Sequence, residues 1–176
     1  MALIRARASQ HYIPTDILIV SLYVDGLIYT GKNETMIKVF KKDIMGTYKM
    51  SDQGLLHYIF SIEVCQNDNG IFISQKKYAK NILRKYKMRA CKALSTSLMP
   101  NEKLKLEDGA KKVNPTVYRS LVGRLLYLAA MRPNIMFAAS LLSRYINSQS
   151  YLCLTAAKQV LRYIKSTKDW HMVQAN

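Results

Sequence analysis

Ile17-Leu18-Ile19-Val20-Ser21-Leu22-Tyr23-Val24 is an almost unbroken β-branched and aromatic run, and such a run predicts a buried strand. Asp25-Gly26 comes next and supplies the two-residue turn of a tight hairpin, with Leu27–Thr30 returning. Gly31 breaks that strand, Asn33 can cap, and Met36, Ile37, Phe40, Ile44 and Tyr48 recur at helical spacing with Lys38, Lys41 and Lys42 on other faces. This is an amphipathic helix of about four turns by its period. Leu55–Val64 and Ile71–Ser74 flank Asn67-Asp68-Asn69-Gly70, residue types that tolerate positive φ and predict a second hairpin.

The rest of the chain reads as helical. Tyr78, Ala79, Ile82, Leu83 and Tyr86 follow a helical period. Between Cys91 and Pro115 there is no clear period, and Pro100, Gly109 and Pro115 interrupt the chain, so this stretch predicts a long connection, a hint of function or mobility. Asn114-Pro115 suits a helix start, with Leu121, Val122, Leu125, Leu126, Leu128 and Ala129 as its apolar face. Pro133 opens a second helix carrying Met136, Ala139, Leu142 and Ile146. Ser150 precedes a third, Leu152 through Ser166, with Ala156, Ala157, Val160, Leu161 and Ile164 inward and Lys158, Arg162 and Lys165 outward. The predicted class is α+β: two β-hairpins plus a helix, then a helical region. Its segments are an atypical N-terminal stretch (1–16), the hairpin region (17–75), a basic helix (76–92), a linker (93–115), a helical region (116–169) and a tail (170–176).

Charge sharpens this division. The 176 residues carry 27 Lys+Arg against 11 Asp+Glu, a formal charge of +16, which favours a polyanionic partner or an acidic surface. Residues 51–75 hold Asp52, Glu63 and Asp68 and no base, whereas 76–92 hold eight bases and no acid. Residues 116–176 add eight bases against Asp169 alone. Cys65, Cys91 and Cys153 are odd in number and widely spaced, which fits a reducing intracellular setting, cytoplasmic or nuclear, better than a disulfide framework or a zinc site. The opening nine residues contain Arg5 and Arg7 and no acid, a faint likeness to an organelle transit peptide. The run Ile17–Val24 is far short of the ~20 residues that span a bilayer, so no membrane partner is expected.

Candidate chemistry centres on Tyr23-Val24-Asp25-Gly26. A hairpin tip that projects carboxylates can hold divalent metals, because the tight turn aims the acids out of the sheet. An Asp-Gly turn is also common for structural reasons alone. Its surroundings decide: Leu22-Tyr23-Val24-Asp25-Gly26-Leu27-Ile28-Tyr29-Thr30-Gly31, Met50-Ser51-Asp52-Gln53-Gly54 with Ile62-Glu63-Val64, Gly70-Ile71-Phe72-Ile73-Ser74-Gln75-Lys76-Lys77-Tyr78-Ala79, Tyr118-Arg119-Ser120-Leu121-Val122-Gly123 with Arg132-Pro133-Asn134-Ile135, and Ala156-Ala157-Lys158-Gln159-Val160-Leu161-Arg162-Tyr163-Ile164-Lys165. In this order the blocks resemble the reverse transcriptase (RNA-directed DNA polymerase) of copia-type LTR retrotransposons, part of a Pol polyprotein.

The resemblance implies a partial polymerase palm, with Tyr58–Ser74 as a primer-grip-like hairpin, followed by a helical thumb and connection region. It implies Mg²⁺ as the metal of the intact family, an RNA or DNA template–primer as partner, Asp25 as a vestigial catalytic and metal-binding residue, and Lys76, Lys77, Lys80, Arg84 and Lys85 beside the nucleic-acid backbone. A helix with one apolar and one basic face suits phosphate contact independently. The departures imply loss of activity. Gly26 replaces the second acid of the turn, and the upstream palm segment with the other metal-binding Asp is missing, as are the fingers. Asp16 sits in a segment without the expected motif. One carboxylate cannot hold two metals against their mutual repulsion, so no productive Mg²⁺ binding is expected.

Asn134, Cys153 and Ser166 replace an Asp, a His and a Gly, which suggests relaxed constraint. Lacking its neighbours, the hairpin should present an apolar face and an open edge, and the chain alone is expected to be poorly soluble or partly folded. The expectation is therefore a degenerate, catalytically inactive fragment. The alternatives are a non-catalytic RNA- or DNA-binding protein that uses the basic helices, and polymerisation restored by a complementing polymerase fragment. His57 reads as structural, having no second ligand at metal spacing, and Trp170 as a surface or packing residue rather than a stacking one.

Overall fold

A computed structural model describes residues 2–6, 16–67, 70–98, 104, 109–167 and 172–174. The chain forms two compact units, Met1–Ser74 with His171–Asn176, and Gln75–Trp170. The class is α+β, with two sheets in the first unit and helices in the second.

The β unit is built on strands β1 (Ala2–Arg5), β2 (Leu18–Tyr23) and β3 (Gly26–Gly31), helix α1 (Glu34–Thr47) and strand β4 (Ser51–Leu55). The sheet order is β2-β3-β1-β4, with β2 antiparallel to β3 and β1 parallel to both β3 and β4. Along β3, Leu27, Tyr29 and Gly31 are buried and alternate with half-buried Ile28 and Thr30, the period of a strand with one covered face. Leu3, Leu27, Tyr29 and Ile37 form its core, packed by Leu18, Phe40, Ile44 and Met50. Asn33 caps α1 as expected, accepting from the backbone N–H groups of Thr35 and Met36 at 3.0 and 3.1 Å. At Gly31 the backbones run close, and a Cβ there would meet the Ile17 carbonyl oxygen at 3.1 Å and the Leu18 Cδ1 at 3.3 Å.

A second sheet runs β5 (Tyr58–Ile59), β6 (Ile62–Asn67), β7 (Gly70–Ser74) and β8 (Met172–Gln174), antiparallel throughout. The expected hairpin between β6 and β7 is present, although Asp68 and Asn69 of its turn lie outside the described residues.

Several expectations need correction. Ile17–Val24 is not a buried strand: β2 is a sheet edge, and Ile17, Ile19, Val20, Leu22, Tyr23 and Val24 are exposed, because α1 covers the sheet over β3 and little of β2. Leu55–Val64 is not one strand but three pieces, turned at Phe60-Ser61, whose φ values of 47° and 62° are left-handed. That pair of positive φ angles makes a two-residue hairpin loop whose twist matches its strands. The N-terminal stretch and the tail contribute β1 and β8, which hydrophobic period could not show in segments so short. Tyr48 is exposed rather than inward.

The helical unit comprises α2 (Lys76–Lys85), α3 (Pro115–Ala129), a 3-10 turn at Pro133–Ile135, α4 (Met136–Ser143) and α5 (Tyr151–Ser166). Asn114 caps α3 through the N–H of Thr116 at 2.9 Å, and Ser150 caps α5 through the N–H of Cys153 at 3.3 Å. The core gathers Ala79, Ile82 and Leu83 of α2, Leu121, Val122, Leu125 and Leu128 of α3, Ala138, Ala139 and Leu142 of α4, and Ala156, Ala157, Val160, Leu161 and Ile164 of α5. Leu126, expected on the apolar face of α3, is exposed. The buried Tyr118 hydroxyl donates to the Leu142 carbonyl at 2.9 Å, and burial pushes its pKa up.

The linker is fastened where it is described. The Leu94 N–H donates to the Arg162 carbonyl, the Arg162 Nε to the Lys92 carbonyl, and the Lys165 Nζ to the Cys91 carbonyl, at 3.3, 2.8 and 2.7 Å. At the far end the Tyr151 N–H donates to the Lys111 carbonyl at 2.8 Å. Arg162 and Lys165, read as outward charges, thus bind this connection to α5.

Candidate functional site

The turn that carries Asp25 is displaced by one residue from its expected place. Tyr23 pairs with Gly26 across the ladder, so the loop is Val24-Asp25 and Gly26 begins β3. No residue from Tyr23 to Gly26 has positive φ, so the glycine is not required by the backbone. A Cβ at Gly26 would meet only the Ala2 carbonyl oxygen, at 3.8 Å, an ordinary contact. Neither the backbone angle nor the space around it therefore requires glycine at position 26.

Asp25 lines a cleft of about 280 Å³ together with Ala2, Ile4, Tyr23, Gly26, Ile28, Ile59 and Phe60. It is the sole ionisable carboxyl in that lining, and Tyr23 closes one side by meeting Phe60 edge-on. Two Mg²⁺ ions need several oxygen donors shared between protein and triphosphate. One carboxylate among apolar walls does not fit that demand. No group of three or more His, Cys, Asp or Glu side chains occurs among the described residues. His57 is exposed between β4 and β5, and Trp170 lies outside the described residues.

A second cleft, about 400 Å³, opens where α1 crosses the sheet and is lined by Arg5, Tyr29, Glu34, Lys38, Lys41 and Asp52. Four of its five charges form ion pairs: Arg5 binds Glu34 and Lys41 binds Asp52. The hydrogen bond from Arg5 holds the Glu34 carboxyl below its usual range; Lys41 and then the Gly54 N–H do the same for Asp52, while Asp52 raises the Lys41 ammonium. Asp52 of the Met50–Gly54 block is thereby a framework residue, fixing a turn at Gly54 with φ 71°.

On α2, Lys77, Lys80 and Arg84 recur at i, i+3 and i+7 opposite the buried Ala79, Ile82 and Leu83, with Lys76 and Lys85 flanking the stripe. Lys77, Lys80, Arg84 and Lys85 are exposed, and Lys76 is half-buried. Arg84 donates to Asn81 at 2.9 Å, and Lys85 reaches Ser120 Oγ of α3 at 3.5 Å. Sequence reasoning missed Arg124 of α3, whose charge and hydrogen bond act on Tyr78 of α2, and Tyr127, whose ring meets that of Tyr78 at 5.0 Å. The signal was the i, i+3 spacing of Arg124 and Tyr127 on one helix, readable only once α2 is known to lie beside it.

The charge is partitioned completely between the units. Gln75–Trp170 contains 20 of the 27 bases and four of the 11 acids, so it carries the whole +16, and the β unit is balanced at seven of each. All four of those acids, Glu102, Glu107, Asp108 and Asp169, lie outside the described residues. The described part of the helical unit therefore bears only bases.

Residues 9–100 match the family model described as reverse transcriptase (RNA-dependent DNA polymerase). The chain is 33% identical over 148 residues to the retrovirus-related Pol polyprotein from transposon RE1 of Arabidopsis thaliana, covering 84% of the chain and 10% of that protein. It is 36% identical over 149 residues to an uncharacterized mitochondrial protein of Arabidopsis thaliana, covering 83% of the chain and 60% of that protein. Over 164 residues it is 29% identical to the retrovirus-related Pol polyprotein from transposon TNT 1-94 of Nicotiana tabacum, covering 85% of the chain and 12% of that protein. The chain thus spans about a tenth of the two polyproteins and 60% of the mitochondrial relative. No solved structure matches it. No helix among the described residues is long and apolar enough to cross a membrane.

Proposed function

The chain belongs to the reverse transcriptase (RNA-dependent DNA polymerase) family, and from that premise we propose that it is a remnant of a copia-type retrotransposon Pol polyprotein that does not incorporate nucleotides on its own. The observation that carries this reading is the cleft at the hairpin tip, where Asp25 stands as a single carboxylate among apolar side chains. In this reading the β unit is the closing part of a palm, and the helical unit corresponds to thumb and connection. Tyr23 and Phe60 hold the hairpin tip in place, while Asp25 is left with one negative charge where a two-metal centre would gather several. Divalent metal would supply charge neutralisation at the transferring phosphate in the intact family; the residues of this cleft do not fit it.

The test is primer extension by the purified chain, alone and with a polymerase fragment that supplies fingers and the first palm acid, using both the natural sequence and Gly26→Asp. No incorporation by the chain alone is expected. Template-directed incorporation by the unassisted natural sequence would overturn the proposal. Extension that appears only with the fragment and Gly26→Asp would instead establish the complemented polymerase.

A second reading is favoured by the charge partition: the helical unit holds RNA or DNA through Lys76, Lys77, Lys80, Arg84 and Lys85 without chemistry. A surface of bases on a helical framework with no described acid is suited to phosphate contact. Saturable binding that weakens steeply with salt supports it, and absence of saturable binding at low salt counts against it.

A further inference from the structure

We infer that the outer edge of β2 is a pairing surface for a second copy of this chain, joined antiparallel about a two-fold axis. β2 is bonded to β3 through an uninterrupted register from Leu18↔Gly31 to Tyr23↔Gly26, and no strand among the described residues lies on its other side. Because Tyr23 and Gly26 close a two-residue loop, Tyr23, Ser21 and Ile19 exchange their backbone bonds with β3. The N–H and C=O groups of Leu18, Val20 and Leu22 then point outward, as a ready template for another strand.

The opposite edge of the same sheet shows what a protected edge looks like. β4 carries Asp52, Gly54 with φ 71°, and an irregular register against β1, all features that discourage pairing. β2 has none of these: it contains no charge, no proline and no bulge. Its exposed side chains are large and apolar, Leu22 at 71% and the adjoining Val24 at 91% of full exposure. Pairing along this sheet would therefore stop at two copies, since β4 does not offer a second site.

Charge selects the occupant. A chain of +16 repels its own copy in general, but the strand is uncharged and the β unit is balanced at seven bases and seven acids. Two copies can meet at β2 without placing like charges opposite one another. The strand is also self-complementary. With the axis at Val20, Val20 faces Val20 and Leu18 faces Leu22, and all three lie on the sheet face that buries Leu27 and Tyr29, so pairing extends an apolar surface that already exists.

Sedimentation velocity on the purified full chain tests this over a wide concentration range and at several salt concentrations. A monomer–dimer equilibrium is expected that strengthens with salt, because screening weakens the repulsion between the basic units. Val20→Lys with Leu22→Lys should raise the dimer dissociation constant by at least about tenfold. Gln53→Lys with Leu55→Lys, the same added charge on the β4 edge, should leave it unchanged, and helical circular dichroism should be preserved in both variants. A chain that stays monomeric throughout would overturn the proposal, meaning that another segment or a different strand takes the edge. So would open-ended aggregates, an association that salt dissolves, as nucleic-acid bridging would, or equal effects of the two lysine variants.

Discussion

The ring of Tyr23 meets the ring of Phe60 edge-on, with centroids 4.9 Å apart and planes at 82°. Tyr23 ends β2 beside Asp25, and Phe60 sits in the β5–β6 loop at a left-handed φ of 47°, so an unfavourable backbone angle is tolerated where its side chain braces the hairpin tip. A double-mutant cycle of Tyr23→Ala and Phe60→Ala in urea should return a coupling of about 0.5–1 kcal/mol. Additive effects would show that the rings do not support one another.

Ser61, the other half of that loop, has φ 62°. Glycine adopts this angle without the Cβ penalty. Ser61→Gly should stabilise the β unit by about 0.5–1 kcal/mol, read as a higher urea midpoint with unchanged slope; a lower midpoint would contradict the turn geometry.

Gly26→Asp offers a contrasting case in the neighbouring hairpin. With no positive φ and only a 3.8 Å contact awaiting a Cβ, the variant should fold with a Tm within a few degrees of the natural chain. A large loss of thermal stability would show that the glycine is a structural requirement, and would remove the case for a lost catalytic acid.

Helical period and capping chemistry made the helices legible: Asn33 and Asn114 cap α1 and α3 where expected, and Ala156, Ala157, Val160, Leu161 and Ile164 of α5 are all buried. Those residues depend on local spacing and on one shared core. β1 and β8 depend instead on pairing between distant parts of the chain, and runs of four and three residues carry no period. The β2 error has a different origin. An apolar run predicts burial only if something covers it, and among the described residues β2 is left as an exposed edge. At the site, the lone acid Asp25 was readable, but not its cleft, because Ile59 and Phe60 arrive from another hairpin. Most matched blocks after residue 116 prove to be framework: Tyr118 bonds the Leu142 carbonyl, and the buried Arg132 donates to the Thr167 carbonyl at 3.0 Å.

Tyr118→Phe isolates one of these framework bonds. The hydroxyl is buried, and its loss leaves the Leu142 carbonyl without that donor. The variant should be destabilised by about 1–2 kcal/mol, seen as a lower unfolding midpoint in the helical circular-dichroism signal. An unchanged midpoint would mean that water or another donor replaces the hydroxyl.

The α1–sheet ion pairs predict a mild pH dependence of the β unit. Glu34 and Asp52 are depressed in the folded chain, so their contribution is complete above the unfolded carboxylate range near ~4 and is lost as pH falls through the folded values. Lys41 is raised, so its contribution holds below the unfolded lysine value near ~10.4 and is lost as pH climbs through the folded one. Because these side chains are substantially solvent-exposed, both effects should shrink in high salt. Thermal melts across acid pH, compared with Glu34→Gln, check the first limb: the natural chain should lose more stability on acidification than the variant does.

The charge partition makes the sharpest prediction about binding. If phosphate contact belongs to the helical unit, replacing Lys77, Lys80 and Arg84 by Gln should flatten the dependence of log affinity on log salt. The slope should fall by about 0.7–0.9 for each contact removed. Replacing Lys38, Lys42 and Lys49 by Gln, on and just after α1, removes the same number of charges from the balanced unit and should barely change the slope. Total charge alone would give comparable losses in the two sets, since long-range attraction depends on the sum rather than on the place. Filter binding to a single-stranded oligonucleotide across a salt series separates the two. A loss confined to the α2 set ties binding to the stripe opposite Ala79, Ile82 and Leu83, whereas equal losses would reduce the basic helix to a solvated face.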